Sequence, residues 1–315
     1  MRHLFGPYGS LSADNVERFR ASEANAVWFH GFAPELFERC ASVGASACVE
    51  FRTFRAAFAE NPHLCPTGAD GQPIRYGNLV QGVCLSQTDF IEERESELRE
   101  GLATFAPTGV WLDYLTYAGW FETPSPDLQE SCFCPSCIAE FNQATGVDCS
   151  DPDGILRDHT EAWHAHKCDR IDSYARRFAG IIRDARPGTL VGLYACPWYP
   201  EEFDGALTRI FAQDLRRLAG TFDVITPLMY AKKCGRPPEW SAEYVERSRS
   251  FIPAEASVEP IVDAIDFPAN VAALATASVV PSGFQIFGGD AIFSDPHRTA
   301  AFDESVHKTL RALRA

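Results

Sequence analysis

Three cysteines within six residues, Cys132-Phe133-Cys134-Pro135-Ser136-Cys137, are the sharpest chemical signal in the chain. Thiols at that spacing, opening a helix, can converge on one tetrahedral cation. A closed structural zinc then needs a fourth ligand, with all four at about 2.0–2.3 Å from the metal. Cys84, Cys65 and Cys149 are the candidates for it. Cys84 is preferred, because it precedes the helix leading into the fourth strand and should lie near that strand's exit loop. The competing reading is three free or oxidised thiols near the surface. Cys48 and Cys196 sit inside apolar runs, as small core residues do.

A second chemistry is open to carboxylates that end apolar runs. Asp113 follows Val110-Trp111-Leu112, where an ionised group is costly unless it is paired or functional. Glu50 sits near the end of another run with Arg52 on the same face, and an ion pair is its plainer reading. Asp263 closes a third run; it could instead cap the helix beginning near Pro268, although Asp266 is better placed to do so. Glu259 shares the parity of Asp263 but lies earlier in its run, toward the end of the strand that serves stability. Glu122 and Asp290 are loop acids held in reserve. Two carboxyl groups, one protonated and one ionised, are what glycoside hydrolysis needs, about 5–5.5 Å apart for retention or 6.5–9.5 Å for inversion. Aromatic side chains gather at the same run ends and the loops beyond them: Tyr8, His30, Tyr114, Tyr117, Trp120, Trp198 and Tyr230. Sugar rings present apolar C–H faces that such side chains cover. His159, His164 and His166 have no convergent carboxylate and read as the exposed face of a helix.

For these groups to meet, some frame must bring the run ends together. Short apolar runs recur at residues 4–8, 26–30, 47–52, 110–114, 190–194, 224–230, 258–263 and 284–287. Most are rich in Val, Ile, Leu, Phe or Tyr, as strands buried on both faces are. Helical patterns separate them, with starts at Ser12-Ala13-Asp14-Asn15, Pro34-Glu35 and Thr88-Asp89. Further helices are expected over 161–186, near 204–218, and over 241–250, 268–277 and 296–314. Eight strand–helix units predict an α/β fold of the closed (β/α)₈ TIM-barrel type, one domain over residues 1–315. An open doubly wound sheet is less favoured, since no GxGxxG follows any strand. Pro260 is tolerable in the seventh strand only near its start. Long loops after strands three (56–86) and four (117–132) leave the strand ends where barrel sites lie.

Formal charge is −15 over 315 residues, from 28 basic and 43 acidic side chains. No basic stripe exists to neutralise phosphates, so nucleic acid is excluded as a partner, and an anionic membrane surface is disfavoured. Neutral sugars suit that field better. No leader-like apolar segment opens the chain and no run is long enough to span a bilayer, so a cytoplasmic protein is expected. Clustered cysteines in such a chain favour metal over disulfides. No organic cofactor is expected.

The run Gly82-Val83-Cys84, then a helix, then Gly109-Val110-Trp111-Leu112-Asp113-Tyr114, then Cys132 to Phe141 resembles barrel glycoside hydrolases. The order is similar to that of zinc-bearing family 42 β-galactosidases, which carry a cysteine upstream of strand four and a cysteine cluster beyond it. Pro197-Trp198 and Pro227-Leu228-Met229-Tyr230 also look like strand-end motifs of that clan. The likeness is clear over 82–141 and looser out to about residue 292. It implies a structural zinc held by Cys84, Cys132, Cys134 and Cys137. It departs at the end of strand four, where family 42 has an Asn-Glu pair and this chain has Asp113-Tyr114-Leu115, so that family's acid/base assignment does not transfer.

The resulting expectation is an enzyme, a glycoside hydrolase acting on a neutral sugar or small glycoside. Asp113 is its nucleophile or charge stabiliser, with Glu50 or Asp263 as acid/base. Arg52 and the aromatic residues named above contact the carbohydrate. The alternative is a catalytically silent carbohydrate-binding barrel, motivated by the missing Asn-Glu pair. A catalytic-metal hydrolase fits less well, because no HExxH is present and an all-thiolate site has no open position.

Overall fold

The computed structural model describes residues 3–314. Its frame is eight parallel strands: β1 (Phe5–Tyr8), β2 (Ala26–His30), β3 (Ser46–Arg52), β4 (Gly109–Asp113), β5 (Leu190–Ala195), β6 (Val224–Met229), β7 and β8 (Phe284–Phe287). Strand β7 runs in two pieces, Ser257–Val258 and Ile261–Asp263. The first pairs with the start of β6 and the second with its end. The second piece also pairs with β8, and β8 pairs with β1, so the sheet closes into a (β/α)₈ barrel. The break falls at Glu259-Pro260, as a residue lacking an N–H dictates. The Pro260 carbonyl still accepts from the Gln285 N–H at 3.0 Å.

Helices pack outside the barrel. The longest, Thr160–Ala185, buries Ile171, Ala175, Phe178 and Ile182 along one face, at the spacing a 3.6-residue period requires. The expected helix near 204–218 is instead two single turns, Ala206–Arg209 and Leu215–Leu218. The histidines differ from expectation too. His166 is buried against Phe141 and Trp163, and His164 lies 3.0 Å from Glu130. Among the described residues, no helix is long and apolar enough to cross a membrane.

Alternate residues of each strand fill the barrel interior. Trp28 and Trp111 meet edge to face at 5.6 Å, and Trp111 Nε1 donates to Thr226 Oγ1 at 2.9 Å. Glycine makes room for the larger indole: a Cβ on Gly192 would lie 2.4 Å from the Trp111 ring, and one on Gly109 2.5 Å from it. This tryptophan layer closes the barrel's middle. The layer above it, toward the strands' C-terminal ends, is polar.

Candidate active site

Strand alternation carries Glu50 and Arg52 of β3, Asp113 of β4, Tyr8 of β1 and Tyr194 of β5 into that upper layer. Register places Arg52 opposite Asp113 and Glu50 opposite Trp111. Glu50 has no exposed surface. Its Oε1 accepts from Arg52 Nε at 2.7 Å, and its Oε2 accepts from the Tyr8 hydroxyl at 2.5 Å, with His30 Nδ1 3.5 Å away. Burial alone would raise its pKa. The hydrogen bond from His30, the Arg52 guanidinium, and the bonds from Tyr8 and Arg52 overcome burial and hold Glu50 down at about 2.

Asp113 behaves in the opposite way. Burial at the pocket floor pushes its pKa well above the carboxylate range, and the negative charge and hydrogen bond of Glu50 push it further. The Tyr114 N–H, which donates to Asp113 Oδ1 at 2.8 Å, and Arg52 offset only part of this. Neighbouring carboxyl groups resist ionising together, and the raised pKa of Asp113 beside the lowered one of Glu50 favours a proton on Asp113. Tyr114 itself stops β4 one residue before the predicted end. Its φ of 56° is left-handed, a costly conformation for a tyrosine, and strain of that kind concentrates at working sites.

Above the pair opens a cavity of about 170 Å³. Its walls come from seven of the eight strands or their exit loops and from the hairpin formed by Arg55–Ala57 and Leu79–Gln81. Tyr8, Tyr114, Trp120, Tyr194, Tyr230 and Phe287 make it largely aromatic. Across from the pair, Lys233 bridges Glu122 Oε2 at 3.1 Å and Asp263 Oδ2 at 3.3 Å. Its ammonium lies 4.5 Å from the Tyr230 ring centre and 4.8 Å from that of Phe287.

Of the residues singled out in sequence, Tyr8, Glu50, Arg52, Asp113, Tyr114, Trp120 and Tyr230 line this cavity, and so does the reserve acid Glu122. His30 touches Glu50 from beside the cavity and is half exposed. Asp263 is buried behind Lys233, with Oδ1 accepting from the Ile265 N–H at 2.9 Å. Trp198 backs the wall residue Phe211, with ring centres 5.5 Å apart, and Tyr117 is buried beneath Lys167. The side chain of Asp290 lies outside the described residues. Sequence reasoning passed over Lys233, Gln81, Gln213 and Phe287. Phe287 ends β8 at the parity of Gln285, and that strand-end position was its one available signal.

A second cluster lies in the long loops. The sulfurs of Cys84, Cys132, Cys134 and Cys137 all fall within 4.8 Å of one another. Cys84 Sγ is 3.6 Å from Cys134 Sγ and 3.7 Å from Cys137 Sγ. A tetrahedron with 2.3 Å metal–sulfur bonds has edges of about 3.8 Å, so the four thiols are spaced to hold a metal ion. The Thr67 N–H donates to Cys132 Sγ at 3.2 Å, and the Cys137 N–H to Cys134 Sγ at 3.4 Å, as suits thiolates. Cys65 and Cys149 stand apart, bonded to the Ile74 and Asp151 carbonyls.

No protein-family model and no curated protein matches the sequence. Solved structures do match the fold. The glycoside hydrolase domain of PgaB (BpsB) from Bordetella bronchiseptica is similar at TM-score 0.71 and 14% identity, covering 96% of this chain and 98% of that one. A β-galactosidase from Halorubrum lacusprofundi is similar at TM-score 0.65 and 14% identity; the match covers 98% of this chain and 58% of the galactosidase. An endo-1,4-β-mannanase from Rhizomucor miehei is similar at TM-score 0.58 and 8% identity, covering 98% of this chain and 95% of that one. At these identities the likeness establishes a shared barrel.

Proposed function

We propose that the chain is a glycoside hydrolase whose pocket takes a neutral sugar and whose general acid is Asp113. One observation carries this reading: Glu50 and Asp113, from adjacent strands, share the floor of an aromatic-walled pocket on the barrel face where strand ends converge, and burial with the charge of Glu50 raises the pKa of Asp113. An acid that keeps its proton near neutral pH can deliver it to a leaving oxygen. The likeness to structures named as glycoside hydrolases supports the same class.

The roles differ from those suggested by strand-end position alone. Glu50 is fully buried, and Arg52, Tyr8 and His30 crowd its two oxygens, so it is poorly placed to meet a sugar. Its part is to fix Asp113 and hold that residue's proton. Tyr8, Tyr230 and Trp120 supply apolar platforms for a pyranose, and Arg52 is in reach of ring hydroxyls.

The four cysteines, on this reading, hold a structural zinc. They come from the loops after β3 and β4, which also carry Gln81, Trp120, Phe121 and Glu122 to the pocket. A closed thiolate set leaves no position for substrate, so the ion supplies loop order rather than chemistry.

A panel of aryl glycosides differing in sugar and anomer tests the proposal. Release of the aryl alcohol from at least one member, reduced in Asp113→Asn where the leaving group is poorly acidic, is the expected result. Saturable sugar binding with no turnover on any member would instead identify a silent carbohydrate-binding barrel.

A further inference from the structure

We infer that Glu122 is the carboxylate that works opposite Asp113 across the pocket, held in place by Lys233. The inference rests on the hydrolase reading and completes it, because hydrolysis needs a second carboxyl group that Glu50 is poorly placed to supply.

Two acids stand on the far side of the cavity, and their surroundings separate them. Asp263 is buried, does not line the cavity, and has both oxygens engaged, Oδ1 by the Ile265 N–H and Oδ2 by Lys233. Glu122 lines the cavity, is partly open to it, and among the described residues engages only Oε2. Its other oxygen is therefore available to a bound ring. Lys233 cannot drift from this arrangement easily. Its ammonium is bracketed by the two carboxylates and by the Tyr230 and Phe287 rings, both of them walls of the pocket. The loop bearing Glu122 is itself pinned, since a Cβ on Gly119 would strike the Phe211 ring at 2.6 Å and the Cys234 thiol bonds the Phe121 carbonyl. Asp263 ends β7, three strands round the barrel from β4, and the Lys233 bridge holds the Glu122 carboxylate beside it, away from Asp113. Glu122 and Asp113 thus face one another over the ring-sized space that Tyr230 borders.

The chemistry balances with these two groups and one water. Asp113 gives its proton to the leaving oxygen, which keeps the electron pair of the breaking C–O bond. Glu122 meets the electron-poor anomeric carbon from the other side. It either bonds that carbon or takes a proton from the water that does, and carboxyl spacing selects between the two. In the first case water later hydrolyses the ester and returns a proton to Asp113.

Azide rescue tests the assignment on any aryl glycoside the wild type cleaves. Glu122→Ala should lose at least about 10²-fold in kcat, the scale for one acid–base group. Added azide should restore turnover, yielding a glycosyl azide of anomeric configuration opposite to the substrate's. That product also proves the variant is folded. Lys233→Met should lower kcat with little change in KM, and Lys233→Arg should recover most of the loss. Near-wild-type turnover by Glu122→Ala, or azide product from Asp263→Ala and not from Glu122→Ala, would overturn the inference and leave the hydrolase reading standing. A wild type that cleaves no glycoside removes the hydrolase reading itself, and this assignment with it.

Discussion

A carboxyl group acquires its role from what it touches, and three acids in this barrel show the range. Tyr8, Arg52 and His30 push the pKa of Glu50 down, and burial with the charge of Glu50 pushes that of Asp113 up. On the proposed function the acid form of Asp113 is the working form, so kcat should fall as pH rises through its elevated pKa. A profile of kcat against pH on a cleaved aryl glycoside checks this, and the alkaline limb should vanish in Asp113→Asn. Glu259 is the third, buried at the opposite end of the barrel, where Ser282 Oγ donates to it at 2.6 Å. Burial raises its pKa to about 7, against which the Ser282 and Ser257 hydroxyls act weakly. Between its ordinary range and about 7 the folded chain binds this proton more tightly than the unfolded chain does, so stability declines as pH rises through that window. The full effect is on the order of 3 kcal/mol. Glu259→Gln should remove that slope and raise Tm above pH 7 while leaving turnover intact, which melts across pH 5 to about 8 would read. Glu50 works in the other sense: its depressed pKa adds stability at neutral pH that is lost as pH falls toward about 2.

At the scale of elements, the strands were legible because burial on both faces leaves continuous apolar runs. Bounds for β2 and β8 match residue for residue. Where backbone conformation decides, sequence pattern falls short. Tyr114 looks like a strand residue by type, yet its left-handed φ ends β4 at Asp113 and supplies the N–H that holds that carboxyl. The contacts of Lys233 were invisible for another reason: they join the loops after β4 and β6 to the end of β7, and no local spacing encodes them. The cysteine cluster was legible, since three of its four members lie within six residues. Metal analysis should find about one zinc per chain. Its removal by a strong chelator should lower Tm and raise KM, because Thr67, Gln81 and Trp120 ride on the tied loops. Four freely titrating thiols with unchanged Tm would contradict this.

For the molecule as a whole, barrel closure turns eight separate strand ends into one pocket. Tyr8, Glu50, Asp113, Tyr194, Tyr230 and Phe287 come from six strands and their exits and meet only because β8 pairs with β1. The net charge of −15 pointed away from anionic partners, and locally Arg52 and Lys233 balance Glu50 and Glu122 around the cavity. The sequence could not show that Glu50 and Asp113 touch, because contact across adjacent strands depends on register. On the proposed function that proximity makes Asp113 the proton donor, and leaving-group dependence measures proton donation directly. The kcat/KM of wild type and Asp113→Asn should be compared on two glycosides of the same accepted sugar, one with a 2,4-dinitrophenyl and one with a poorly acidic phenyl leaving group. Asp113→Asn should lose about 10²–10⁴-fold on the poor leaving group, which needs protonation, and far less on the dinitrophenolate, which does not. Equal losses on both substrates, or no loss on the poor one, would contradict the assignment of Asp113 as the acid of this site.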